Sequence, residues 1–185
     1  MCAHRGFNTV APENSMPAFG AAIALGAEEI EFDLWPTADG EVVSCHDATL
    51  ERVSDGNGKV YEHTLEELRK LDFGSKFGEK FRGLRIVTFE EILKKYSGHV
   101  IMNVHIKPLS FTEPYPVDIM EKIVSLIKKY DAEKYVYFML EPDIHIKQFK
   151  EYAPNIPVCV GHNFDRNWAI VDRAIELCAQ NLQFF

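Results

Sequence analysis

Four short stretches of this sequence end in polar groups able to share one catalytic centre: His4-Arg5-Gly6, Glu31-Phe32-Asp33, His46-Asp47 and His105-Ile106-Lys107. Three of them lie on strand-like runs whose neighbouring positions are apolar. Glu31 and Asp33 are two apart, so a strand points both to one face and gives Ile30, Phe32 and Leu34 the other. His105 and Lys107 repeat that arrangement around Ile106. Two adjacent carboxylates repel unless a cation or a proton lies between them. The doubled pattern points to a metal site flanked by imidazoles.

Taken singly, each residue has a plainer use. A lone strand-end Glu or Asp is more often a solvated or capping group than a ligand. Arg5 has a ready partner in Glu13, and Glu13-Asn14 serves to shape a loop and cap the helix that follows. Glu141 and His162 follow strand-like runs and could line a pocket in a supporting role. His63, His99 and His145 are read as surface residues, and Phe73, Phe77 and Phe81 as packing within a local excursion.

The elements that must position these groups alternate strand with helix, which favours a parallel sheet wrapped by helices. A first strand ends at Cys2-Ala3-His4. A helix from about Met16 to Leu25 follows, capped by Asn14 or Ser15, with Pro17 in its first turn and Gly26 beyond its end. Strands are expected at Glu29–Leu34, Glu41–Cys45, Val100–Ile106, Tyr135–Leu140 and Val158–Gly161, with a seventh opening at Leu182–Phe185. Helices are expected near 88–96, 117–130, 144–152 and 168–178. The segment from about 49 to 87 differs in kind: Ser54-Asp55-Gly56-Asn57-Gly58 is turn chemistry, and Thr64-x-x-Glu67 matches a capping box. It reads as an insertion over one end of the sheet, within a single domain spanning 1–185.

Polar groups at several strand C-termini, with no Gly-rich dinucleotide fingerprint, fit a (β/α)8 TIM barrel better than a doubly wound sheet. The barrel is expected to be incomplete. Only three residues precede His4, so strand one is truncated, and strand eight is absent. The net charge of −8 argues against nucleic acid or an anionic membrane as the main partner. No apolar run approaches the ~20 residues of a membrane span. Four cysteines without C-x-x-C spacing read as reduced thiols, most of them core filling, in a cytoplasmic protein.

The chain resembles the glycerophosphodiester phosphodiesterase family. His4-Arg5-Gly6, Pro12-Glu13-Asn14-Ser15 and Ala18-Phe19 are similar to its opening signature. Gly26 to Asp33 with Thr37-x-Asp39-Gly40, then His46-Asp47-x-Thr49-Leu50-x-Arg52, are similar to its second and third blocks. Thr64-Leu65-Glu66-Glu67-Leu68 resembles the family's small insertion. The likeness is dense over residues 3–107 and looser beyond.

The resemblance implies metal-dependent hydrolysis of a glycerophosphodiester to glycerol 3-phosphate and an alcohol. His4 and His46 would be general acid and base, Arg5 and Lys107 would face the phosphate, and Glu31 and Asp33 would hold one divalent cation (Mn, Zn, Mg or Ca). Such roles suit the chemistry: charge growing on an anionic diester needs neutralising, and imidazoles near pKa 6.5 can move both protons. One position departs from the pattern. Where the family carries a third acid two residues before the lysine, this chain has His105. An imidazole ligand favours Mn or Zn over Mg or Ca. Two rival readings accompany this one: a lysophospholipase D-like or phospholipase D-like lipid enzyme, and a non-catalytic phosphate-binding relic.

Overall fold

The computed structural model describes residues 1–161 and 169–183. His162, the first residue of the last expected helix and Phe184-Phe185 lie outside the described residues. Six strands run parallel in the order β1 (Cys2–His4), β2 (Glu29–Pro36), β4 (Ile101–Ile106), β5 (Val136–Leu140), β6 (Val158–Gly161) and β7 (Asn181–Gln183). The result is an open, curled parallel sheet with flanking helices, a half-barrel of the incomplete (β/α)8 kind.

The remaining strand, β3 (Val42–Ser44), departs from a simple alternation. It pairs antiparallel with the end of β2, in the register Leu34↔Ser44, Trp35↔Val43, Pro36↔Val42. The reason lies in the connection. Thr37 to Glu41 are enough for a tight turn, with Gly40 at a left-handed φ of 77°, whereas a parallel crossover needs a dozen residues or more. The parallel set therefore counts six among the described residues, and β3 is a hairpin that extends β2 past the rim.

Side-chain alternation sorts the sheet into two faces. Ile30, Phe32, Leu34, Met102, Val104, Ile106, Val136, Phe138 and Leu140 are buried in the main core under the helices. The opposite, concave face carries the polar groups, alongside Met139 and Cys159. Tyr137 Oη on β5 donates to Glu29 on β2 at 2.6 Å, and Asn103 Nδ2 on β4 donates to Gln183 on β7 at 3.0 Å. The second bond skips two intervening strands, so the sheet is curved strongly enough for its interior side chains to meet.

Helix α1 (Met16–Ala24) is capped by Ser15, whose hydroxyl accepts from the Ala18 N–H, with proline in its first turn. Within the 49–87 segment lies the four-residue α2 (Leu65–Leu68), and α3 (Phe89–Tyr96) follows it. Thr64 and Thr88 both close reciprocal capping boxes, with Glu67 and Glu91. The segment has its own small core of Leu50, Val60 and Leu68, shared with Trp35, Val43, Cys45 and Ile86. Helices α4 (Val117–Lys129), α5 (Asp143–Tyr152) and α6 (Ile170–Glu176) complete the crossovers.

Two expectations are corrected. His145 is not at the surface: it is 1% exposed, with Nδ1 2.8 Å from the Glu141 carbonyl and Nε2 2.9 Å from the Glu113 carbonyl. It sits on the buried face of α5 with Ile146 and Phe149, so helical phase overrode residue type. Of the four cysteines only Cys45 and Cys159 fill core, while Cys2 and Cys178 are exposed, and all four are free thiols.

Candidate active site

The register of the sheet assembles the centre. Glu31 pairs with Asn103 and Asp33 with His105 across β2 and β4, so the two i, i+2 pairs face each other over the concave side. Glu31 and Asp33 are almost fully buried, and ligand atoms of Glu31, Asp33 and His105 all lie within 4.8 Å of one another. Lys107 follows β4 and places Nζ 2.8 Å from Asp33 Oδ1 and 3.1 Å from His105 Nδ1.

The loop after β1 closes the second side. Arg5 (φ 57°) and Gly6 (φ 77°) both take left-handed backbone, and a Cβ at Gly6 would stand 2.8 Å from Ala18. Only glycine fits that close approach. The turn aims the Arg5 N–H at Glu31 Oε2, 2.9 Å away, and brings His4 Nε2 to 3.8 Å from the same oxygen. Arg5 Nε is buried 3.9 Å from Asp33 Oδ2 without a hydrogen bond. Its Nη1 donates to Glu13 at 3.2 Å.

Asn14 ties this loop to the ligands. Held at φ 53°, it donates from Nδ2 to Asp33 Oδ2 at 2.9 Å, and its Oδ1 accepts from the Asp33 N–H at 3.0 Å and the Ser44 hydroxyl at 2.9 Å. A third relay reaches His46. Its Nδ1 is 2.7 Å from Asp47, which accepts from Arg52 at 2.5 Å, and Arg52 donates two further bonds to Glu13 at 2.7 and 2.8 Å. His46, Glu13, Asn14 and Ser44 line one wall of a pocket at this mouth.

Electrostatics set the two carboxylates apart. Burial and the neighbouring charge of Asp33 push Glu31 up to about 8. Burial would raise Asp33 as well, but hydrogen bonds and charge from His105, Lys107 and Asn14 outweigh it and hold that carboxyl below its ordinary range. Burial lowers His105, against the raising effect of Asp33, and its Nδ1 stands between Lys107 Nζ at 3.1 Å and Asp33 Oδ1 at 3.5 Å. His4 is lowered by burial and by the charge of Arg5. The cluster thus holds one firm negative charge on Asp33, the cationic groups of Lys107 and Arg5, and one proton-hungry carboxylate on Glu31.

A divalent cation fits this donor set. Two convergent carboxylates and an imidazole form a mixed oxygen–nitrogen site, and His105 Nε2 is buried without any hydrogen-bond partner among the described residues. Such a cation would share Asp33 with Lys107.

The structure thus brings His4, Arg5, Glu31, Asp33, His105 and Lys107 together, with Glu13 and Asn14 against them and His46 on the pocket wall. Glu141 stands farther out: its charge bears on His105, and it lines a separate cleft with Phe111 and Arg173. Sequence reasoning does not single out Arg52 and Ser44 as site residues, while Asp47 stands there only beside His46 with no role of its own. Nothing in spacing links Glu13 to Arg52, although Asp47 and Arg52 lie in one block of the family resemblance.

Comparison with known proteins extends the picture. The model of the glycerophosphoryl diester phosphodiesterase family matches residues 4–178. A glycerophosphodiester phosphodiesterase of Caldanaerobacter subterraneus subsp. tengcongensis is 40% identical over 157 residues, covering 84% of this chain and 63% of that one. A glycerophosphodiester phosphodiesterase of Bacillus altitudinis is 32% identical over 158 residues, covering 85% of this chain and 64% of its own length. The chain therefore spans somewhat under two thirds of these relatives. Among solved structures, an Oleispira antarctica phosphodiesterase in complex with the product sn-glycerol-3-phosphate superposes with a TM-score of 0.83 at 25% identity, covering 99% of this chain and 73% of that one. With the family model matching nearly its whole length, the chain belongs to the glycerophosphoryl diester phosphodiesterase family.

Proposed function

We propose that this chain hydrolyses glycerophosphodiesters to glycerol 3-phosphate and an alcohol, as one catalytic domain over residues 1–185 with an insertion at about 49–87. One observation carries the reading: buried Glu31 and Asp33, within β2, converge with His105 near the C-terminal end of β4 and with the loop that leaves the C-terminal end of β1, beside Lys107 and Arg5. C-terminal strand ends are where parallel barrels place their chemistry. The Oleispira neighbour, whose structure holds sn-glycerol-3-phosphate, supports the product class.

Glu31, Asp33 and His105 would hold a divalent cation, which when bound supplies Lewis-acid neutralisation of the phosphate oxygens. Arg5 and Lys107 bring further positive charge to the developing phosphorane charge. His4 and His46 are the general acid and base, one accepting the nucleophile's proton and the other protonating the leaving oxygen. Asp47 orients the His46 ring through Nδ1 and leaves Nε2 for the substrate. Arg52 and Glu13 keep Asp47 in place.

The test is product identification. The metal-stripped chain is incubated with a glycerophosphodiester and each of Mn, Zn, Mg and Ca, and glycerol 3-phosphate is measured by a coupled assay. Release in equal amounts with the free alcohol is expected. Release of inorganic phosphate in place of glycerol 3-phosphate overturns the reading in favour of another phosphatase chemistry, and release of nothing with any metal overturns it in favour of a non-catalytic phosphate-binding chain.

A further inference from the structure

The wall carrying His46 opens into a pocket of about 150 Å³ whose remaining lining the roles above do not use. Its far side is supplied by the 49–87 segment: Val53, Phe73, Phe77, Leu84 and Ile86 form an apolar surface. Lys76 and Arg85 stand beside it, and neither enters an ion pair among the described residues. Arg52 adds a third cation, engaged with Glu13 and Asp47. Two carboxylates, Glu13 and Asp47, against three cations leave this pocket net positive in a chain of net charge −8.

We propose that this pocket receives the alcohol half of the diester and selects neutral or anionic short alcohols over cationic amino alcohols. The inference rests on the phosphodiesterase reading and deepens it. A proton donor for the leaving oxygen must stand beside the leaving alcohol, and His46 is the imidazole on this wall. A cavity of this size holds a group of roughly six heavy atoms, as a benzene-sized molecule fills an engineered cavity of like volume. Lys76 and Arg85, which donate to the backbone carbonyls of Glu51 and of Lys70 and Leu71 but keep their charge unneutralised by a carboxylate among the described residues, repel an ammonium and attract an anion. The phenyl rings of Phe73 and Phe77 then pack against carbon.

The discriminating substrates are glycerophosphoglycerol and glycerophosphocholine, which differ only in the alcohol. Wild-type kcat/KM is expected to favour the glycerol diester by about tenfold, and Lys76→Glu should move that ratio toward choline by about tenfold. Lys76→Arg should keep the wild-type ratio. Lys76 is exposed, so neither change threatens folding. An identical ratio in all three proteins overturns the pocket while leaving hydrolysis itself intact. If no protein hydrolyses either diester, the phosphodiesterase reading falls and calorimetric binding in EDTA decides the pocket. Binding of glycerophosphocholine that tightens relative to glycerophosphoglycerol in Lys76→Glu supports it, and an unchanged ratio of the two affinities, or no binding of either diester, in every variant overturns it.

Discussion

Asn14 and Asp33 bond to each other twice, amide to carboxylate at 2.9 Å and backbone N–H to amide oxygen at 3.0 Å. This reciprocal pair fixes the rotamer of a ligand from a loop 19 residues away. A carboxylate so oriented loses little freedom when a cation arrives. Asn14→Ala is expected to weaken divalent-metal affinity by about 10–100-fold, read by titration of the stripped protein. Unchanged affinity would reduce Asn14 to a helix-entry residue.

Metal preference follows from His105. Activity should vanish on chelation and return better with Mn or Zn than with Ca, because the third donor is nitrogen. His105→Glu should move the preference toward Mg or Ca. A wild type best with Ca, and unchanged by His105→Ala, would show that His105 is not a ligand.

The histidines should separate from the ligands by substitution. His4→Ala or His46→Ala is expected to lower kcat by ~10²–10⁴-fold while metal affinity persists. Normal turnover in His46→Ala would remove the acid–base assignment.

Stability in acid should report the Asp47–Arg52 pair. The Arg52 hydrogen bond holds the Asp47 carboxyl down to about 2, below its ordinary value near 4. A depressed folded-state pKa contributes stability that is present above the unfolded value and is lost as pH falls through the folded one. The stability gap between wild type and Arg52→Ala should therefore be full above pH ~4 and close toward pH ~2. Denaturant melts across that window check it, and a gap that does not change with pH would mean the pair contributes nothing.

Much of this arrangement is legible in the sequence because strands have a period of two. Glu31 with Asp33, and His105 with Lys107, announce one shared face before any pairing is known. What period cannot carry is pairing direction. Val42–Ser44 reads as a strand either way, and only the short connection from Thr37 to Glu41 reveals the hairpin. Contacts distant along the chain are likewise silent. Arg52 reaches Glu13 across 39 residues through loops with no pattern of their own. His145 misleads for a third reason: its polarity suggests solvent, while two carbonyl oxygens inside the protein supply its partners.

The claim on which the rest depends is that Glu31, Asp33 and His105 hold the cation that hydrolysis requires. The most direct measurement is glycerol 3-phosphate release against added Mn by stripped wild type and Glu31→Gln side by side. Saturable restoration is expected in the wild type, with Glu31→Gln needing at least ~10-fold more metal. Stripped protein as active as the metal-replete form, with Glu31→Gln indistinguishable from wild type, would contradict the account.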